Sequence, residues 1–133
     1  MRLRVTLFIF HEDEILLIKR LRNGRSYFVI PGGGVEAGET LAQAAIREAK
    51  EETSLDVELG PLLYARLWDD GRLHQTEYAF LVAAYQGEPA LLDPEILCKQ
   101  TAENQYSLEW LPIVEMNEQP IYPGPIKWAA LPK

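Results

Sequence analysis

Apolar and β-branched residues fill Leu3 to Phe10, and the polar run His11-Glu12-Asp13-Glu14 follows. This pattern predicts a first β-strand ended by a turn. Ile15 to Lys19 predicts a second strand and Ser26 to Ile30 a third. Asn23-Gly24 lies between them, and both residue types tolerate positive φ, so a tight hairpin is expected. Pro31-Gly32-Gly33-Gly34 then interrupts regular structure. At Thr40 the period changes. Leu41, Ala42, Ala45, Ile46 and Ala49 recur at helical spacing, which predicts a helix from Thr40 to Thr53 capped by Thr40 or Glu39. Further strands are expected over Leu62 to Trp68 and Glu77 to Tyr85, turned by Asp69-Asp70-Gly71. Gly87 to Asn104 reads as irregular, Gln105 to Leu111 as a late strand, and Pro125 as the start of a short helix over Ile126 to Leu131. Strands on both sides of a central helix predict an α/β (α+β) fold, a mixed sheet with helices on its faces. No repeat or linker divides the chain, so one domain is expected over residues 1–133.

Composition narrows the class. A hydrophobic share of 47% and a charged share of 25% suit an ordinary globular domain. No apolar run approaches the ~20 residues of a spanning helix. Arg2 and Arg4 before Val5 to Phe10 mimic a leader, but no small-residue cleavage site follows, so a strand is the better reading. The net charge of −7 argues against a stable nucleic-acid partner held by blanket phosphate neutralisation. It leaves room for a phosphate-bearing small molecule, because a divalent cation reverses the sign of an acidic cluster. Cys98 is the only cysteine, so no internal disulfide forms and a cytoplasmic location is expected. Its apolar neighbours Ile96 and Leu97 suggest inert packing rather than a catalytic thiol.

The chemistry gathers between Gly32 and Leu55, in GGGVEAGETLAQAAIREAKEETSL. Glu48, Glu51 and Glu52 project from one side of the predicted helix. Their mutual repulsion weakens the helix by a few tenths of a kcal/mol per pair, and more where water is excluded. A cation removes that cost, and an all-oxygen donor set selects a hard ion such as Mg²⁺, with Mn²⁺ as a substitute. The alternative is a plain solvated acidic face. Arg47, four residues before Glu51, can brace it, and the glycines beside Glu39 let backbone carbonyls and amides face a ligand.

This segment resembles the Nudix box, G-x5-E-x7-R-E-U-x-E-E-x-G-U, with U a bulky aliphatic. Gly33, Glu39, Arg47, Glu48, Glu51, Glu52 and Leu55 fall on the pattern. Ser54 takes the place of the last glycine, where a left-handed conformation is expected. Ala49 stands where a larger aliphatic is common. Ile15 to Arg20, Phe28 to Gly33 and Glu109-Trp110-Leu111-Pro112 look like the strands that flank the box. The resemblance implies an α/β/α sandwich with the box helix packed on a mixed central sheet.

It also implies Mg²⁺-dependent attack of water on a phosphoanhydride of a nucleoside diphosphate derivative. Glu48, Glu52 and the carbonyl of Gly32 would bind metal, and Glu51 would bind it directly or through water. Arg47 and Glu39 would orient the carboxylates. An acid outside the box would complete the site; Glu103 is the first choice, with Asp93 and Glu95 as alternatives. Arg20 and Arg25, within the basic group Lys19, Arg20, Arg22 and Arg25, would grip distal phosphates, unless that group is a solvated rim. Arg66 is a further substrate-binding candidate. Phe28, Tyr64, Trp68 and Tyr78 could stack on a base, although aromatics in strands usually fill a core. His11 and His74 are expected at the surface. The expected substrate is a nucleoside or deoxynucleoside triphosphate, cleaved to the monophosphate and pyrophosphate. ADP-ribose or a nucleotide sugar comes next, helped little by Asp70 to Leu73, which lacks the Pro or Tyr that flags such subtypes. Capped RNA is disfavoured by the acidity. A nucleotide-binding regulatory domain without catalysis, or a plain cation-binding helix, are the non-enzymatic readings. The resemblance also makes a homodimer plausible.

Overall fold

The computed structural model describes residues 2–69, 71 and 74–122, and of Trp68 only the backbone. Strands β1 (Arg2–Phe8), β2 (Phe10–His11), β3 (Glu14–Arg22), β4 (Arg25–Val29) and β5 (Gly32–Gly34) precede helix α1 (Leu41–Thr53). Strands β6 (Asp56–Asp69) and β7 (His74–Gln86), the single turn α2 (Pro94–Leu97), β8 (Asn104–Pro112), a 3₁₀ turn (Ile113–Glu118) and β9 (Ile121–Tyr122) follow. They build an α+β fold with two sheets rather than one. The first runs β5-β1-β7-β6, with β1 and β7 parallel and the other pairs antiparallel. The second is centred on β3, which carries β8 along one edge and β2 and β4 along the other, with β9 beyond β4.

The strand expected from Leu3 to Phe10 is broken at Ile9, and this break is what makes two sheets. Before it the chain pairs with β7; after it, Phe10 and His11 pair with β3. The Asn23-Gly24 hairpin forms as expected, with φ of 52° and 77° and Arg22 directly opposite Arg25. The glycine run does not break structure. Gly32 to Gly34 is a short strand against β1, and a Cβ on Gly32 would collide with the Val5 carbonyl. Here glycine permits the close backbone approach rather than an irregular turn. The expected closing helix lies outside the described residues; of the expected Asp69-Asp70-Gly71 turn only Asp70 does, and the Gly71 N–H, at φ 85°, donates to the Asp69 carboxylate at 3.1 Å.

Thr40 caps α1 in a capping box: its side chain accepts from the Gln43 N–H, and Gln43 accepts from the Thr40 N–H. The buried face is not the expected stripe. Ala44, Ala45, Glu48, Ala49 and Thr53 face inward, while Ile46 is 46% exposed and Ala42 is also outside. The small alanines let the helix lie close on Val5, Leu7, Ile9 and Leu16, which is why a larger residue is not needed at Ala49. The other side of the sheets holds a second cluster around Phe8, Ile15, Leu17, Phe28, Ala79 and Met116. Ser54 ends α1 in the left-handed region at φ 66°, as expected for that position. Its hydroxyl donates to the Ala90 carbonyl at 2.7 Å and offsets the strain.

Glu77, on β7, is fully buried at 0% exposure. It accepts from Thr6 Oγ1 and Arg66 Nε, both at 2.6 Å, and from the Tyr64 hydroxyl at 3.4 Å. A buried carboxylate survives only with such a set of partners. The Tyr64 hydroxyl is harder to ionise than usual, first through burial and then through the Glu77 charge.

Two substitutions test this frame. Glu77→Ala removes the buried acceptor shared by Thr6, Tyr64 and Arg66; the expected loss is about 3 kcal/mol in urea denaturation. Ser54→Ala keeps the left-handed strain and loses the hydrogen bond, so it should cost about 1 kcal/mol. Ser54→Gly removes both and should stay within about 0.5 kcal/mol of the parent.

Candidate active site

Arg47 organises the carboxylates. Its Nε and Nη2 donate to the two oxygens of Glu39 at 2.7 and 2.9 Å, a two-pronged pair. Nη2 also reaches the Gly34 carbonyl at 2.9 Å. Nη1 reaches Glu48 at 2.9 Å and Glu51 at 3.1 Å. Glu39 in turn accepts from the Glu36 N–H at 2.9 Å, which fixes the turn before α1. The Arg47 hydrogen bonds first, then that backbone donor, hold the Glu39 carboxyl at about 2. Arg47 is itself held charged far above its ordinary range, chiefly by Glu39. The box motif is thus a physical link from α1 to the loop and to β5.

Glu48 is buried and packs its carboxylate on Gly33, where a Cβ would collide with it. This explains a glycine in the middle of a strand. Burial pushes the Glu48 carboxyl up, against the opposing pull of Arg47. Glu52, one turn on, is half-buried. Among the described residues it has no hydrogen bond and no ion pair. Burial, then the Glu48 charge, raises its carboxyl to about 7, with Asp93 and Glu51 adding to the shift and Arg4 opposing it. Arg4 acts on Glu48 in the same direction. It sits on β1 opposite Gly34, a placement that depends on the β1–β5 register and had no signal in sequence pattern.

The donor set fits a hard divalent cation: oxygen atoms only, a carboxylate seated in a glycine notch, and a neighbouring carboxylate with no cation of its own. Among the described residues no three acids or histidines yet gather closely enough to enclose an ion. Arg47 draws Glu48 and Glu51 toward itself, so enclosing an ion requires those side chains to swing toward Glu52.

The candidates outside the box divide. Glu103 lies beside the tip of the β3–β4 hairpin, its carbonyl accepting the Asn23 N–H at 2.8 Å, and among the described residues it makes no hydrogen bond or ion pair with α1. Asp93 acts electrostatically on Glu52 and, with Glu95, Glu36 and Glu51, lines a cleft of about 900 Å³ beside the end of α1. Phe28 is 6% exposed within the core, so it offers no face to a base. Arg66 serves Glu77 and lies 5.1 Å over the Tyr64 ring, whose hydroxyl is also committed. Tyr78 is half-buried on β7, and the Trp68 side chain lies outside the described residues. Arg20 is stacked 3.8 Å from the Tyr106 centroid and bonded to Asn104, while Arg25 is exposed at the hairpin. His11 and His74 are at the surface, as expected. Cys98 is exposed rather than packed, because α2 is a single turn on the surface.

Comparison with known proteins agrees with this geometry. The NUDIX domain model matches residues 1–131. An ADP-ribose pyrophosphatase of Methanocaldococcus jannaschii is 41% identical over 80 residues, covering 58% of this chain and 47% of that protein. A putative mutator protein MutT4 of Mycobacterium tuberculosis is 34% identical over 105 residues, 76% of this chain and 39% of that protein. The chain therefore spans less than half the length of these curated relatives. Among solved structures, a MutT NUDIX hydrolase from Burkholderia pseudomallei superposes with a TM-score of 0.68 at 26% identity, covering 97% of this chain and 92% of that one. The E. coli ORF135 protein, at a TM-score of 0.71 and 24% identity, covers 92% and 81% and shares the fold. With the family model spanning nearly all of the chain and Arg47 joining the motif's acids as one unit, the chain belongs to the Nudix hydrolase family.

Proposed function

We propose that the chain hydrolyses a phosphoanhydride bond in a nucleoside diphosphate derivative, with Mg²⁺ as cofactor. The observation that carries this is Glu52, a half-buried carboxylate without a partner among the described residues, crowded by Glu48 and by the charge of Asp93. Hydrolases of this family generally use divalent metal ions. Glu48, Glu51, Glu52 and the Gly32 carbonyl would hold the ion, with Asp93 rather than Glu103 as the acid from outside the box. When bound, the metal supplies positive charge for the phosphate oxygens and acidifies the attacking water. Arg47, itself fixed by Glu39, anchors the carboxylates in the metal-free protein, and Glu48 and Glu51 would turn from it toward Glu52 when the ion binds. Glu51, at the solvent edge, would take the proton of the attacking water if it holds the ion through water rather than directly.

A nucleoside triphosphate is the leading substrate, cut to the monophosphate and pyrophosphate; the MutT-named structures at 26% identity support it. ADP-ribose is the second reading, supported by the name of the M. jannaschii relative. Pyrophosphate and phosphate release from a panel of both classes, with and without Mg²⁺, separates them. A panel left intact, with one member still raising the melting temperature, would replace hydrolysis by regulatory binding.

Glu52→Gln should reduce Mg²⁺-dependent turnover at least a thousandfold with little change in fold by circular dichroism. A pH series tests the metal fit without activity. The Glu52 carboxyl is raised from 4.5 to about 7, so the folded metal-free protein holds a proton that the unfolded chain has released. Its stability should fall as pH rises from about 4.5 to about 7, and that slope should flatten in Glu52→Gln. Added Mg²⁺ should raise the melting temperature at pH 8 and do little at pH 5. Equal Mg²⁺ effects at both would sink the assignment of Glu52 as a ligand.

A further inference from the structure

We infer that the cleft at the β3–β4 hairpin binds a phosphorylated nucleoside, its base against Tyr27 and Tyr122 and its phosphate on Arg22 and Arg25. Arg22, Asn23, Arg25, Tyr27 and Tyr122 line a cleft of about 490 Å³, a size that accommodates a small-molecule ligand. The two-residue turn sets Arg22 directly across from Arg25, and like charges in that position oppose hairpin formation. Both side chains are exposed, and among the described residues neither makes an ion pair or hydrogen bond. Glu103 is the acid brought closest by a backbone contact, through the Asn23 N–H, yet its carboxylate pairs with neither arginine among the described residues. Arg22 and Arg25 stand directly across the hairpin from each other with no ion pair among the described residues, and an anion would relieve their repulsion. Paired guanidinium groups suit the multiple oxygens of a phosphate.

The aromatic half of the cleft points to what the phosphate is attached to. Tyr27 and Tyr122 meet edge to face, with centroids 5.7 Å apart at 89°. Two perpendicular rings offer one face for stacking and one edge for the rim of a planar base. Arg20, which does not line the cleft, is fixed beside it: its guanidinium lies 3.8 Å from the Tyr106 centroid and 5.8 Å from that of Tyr27, and it donates to Asn104 at 3.0 Å. Arg20 is therefore committed to these partners, while Arg22 and Arg25 remain available in the cleft. The pairing places Arg20 opposite both Tyr27 and Tyr106, so these residues share one face of the second sheet. Further along that face, Leu108 and Trp110 pack on the cluster that carries α1. The occupant is accordingly either the far end of a substrate held at α1 or a separate nucleotide.

AMP is the probe, titrated by calorimetry in metal-free, low-salt buffer beside inorganic phosphate and adenosine. The expected result is one AMP per chain, with phosphate and adenosine each bound at least tenfold more weakly. Arg22→Gln/Arg25→Gln and Tyr27→Ala should each weaken AMP at least tenfold, and their melting curves check that they fold. Glu52→Gln should bind AMP as the parent does. Absence of AMP binding, phosphate binding as tight as AMP, undiminished binding in the double variant, or loss in Glu52→Gln would each overturn the inference. Naming the ligand as a nucleotide rests on the proposed function, but this binding experiment needs no turnover, so a failed hydrolysis panel leaves it decisive. Where turnover is seen, a raised KM at unchanged kcat in the double variant identifies the substrate's far end, and an unchanged KM identifies a separate nucleotide.

Discussion

The arrangement around α1 depends on one guanidinium. Arg47 binds Glu39, Glu48, Glu51 and the Gly34 carbonyl at once, and so connects the helix, the turn before it and β5. Its rigid planar fork can satisfy several oxygens in fixed directions, which a flexible ammonium cannot do. Without it, the glutamates on the helix would repel and the loop from Val35 to Glu39 would lose its tie to α1. The same group opposes the upward pull of burial on the Glu48 carboxyl. Arg47 does not reach Glu52. The carboxylate left over is the one whose burial and neighbours make its charge most costly.

Much of this was legible from residue types and spacing. Asn23-Gly24, Thr40 and the left-handed Ser54 act locally, so the order of residues alone predicts them. Arg47 and its acids were also readable, because helical spacing brings Glu51 beneath Arg47. What escaped were the features decided by contacts distant in sequence. The glycine run is a strand because β1 lies against it and Glu48 packs on Gly33. Ile46 is outside because the alanine face allows a closer approach to the sheet than an isoleucine face would. Arg66 and Glu77 meet only through the β6–β7 register, so a candidate for substrate binding turned out to hold a buried acid. Glu103 and Asp93 could not be ranked from their distance to Trp110, since the loop between α2 and β8 decides which of them approaches α1.

Charge is distributed unevenly over this acidic chain, and the distribution follows the sheets. At α1, acids outnumber the cations that face them, so a cation is the natural complement. At the hairpin, the cations outnumber the acids, and the complement is an anion. Both regions border the same face of the second sheet, through Leu108 and Trp110 on one side and Tyr106, Arg20 and Tyr27 on the other. A nucleotide ligand has both requirements in one molecule: polyphosphate oxygens that carry a metal, and an aromatic base joined to phosphate. The break at Ile9 is what brings the two together. It sends the chain from the sheet that supports α1 into the sheet that carries the hairpin. A single continuous strand from Leu3 to Phe10 would have kept β2 in the first sheet and removed the link between the acidic helix and the basic turn.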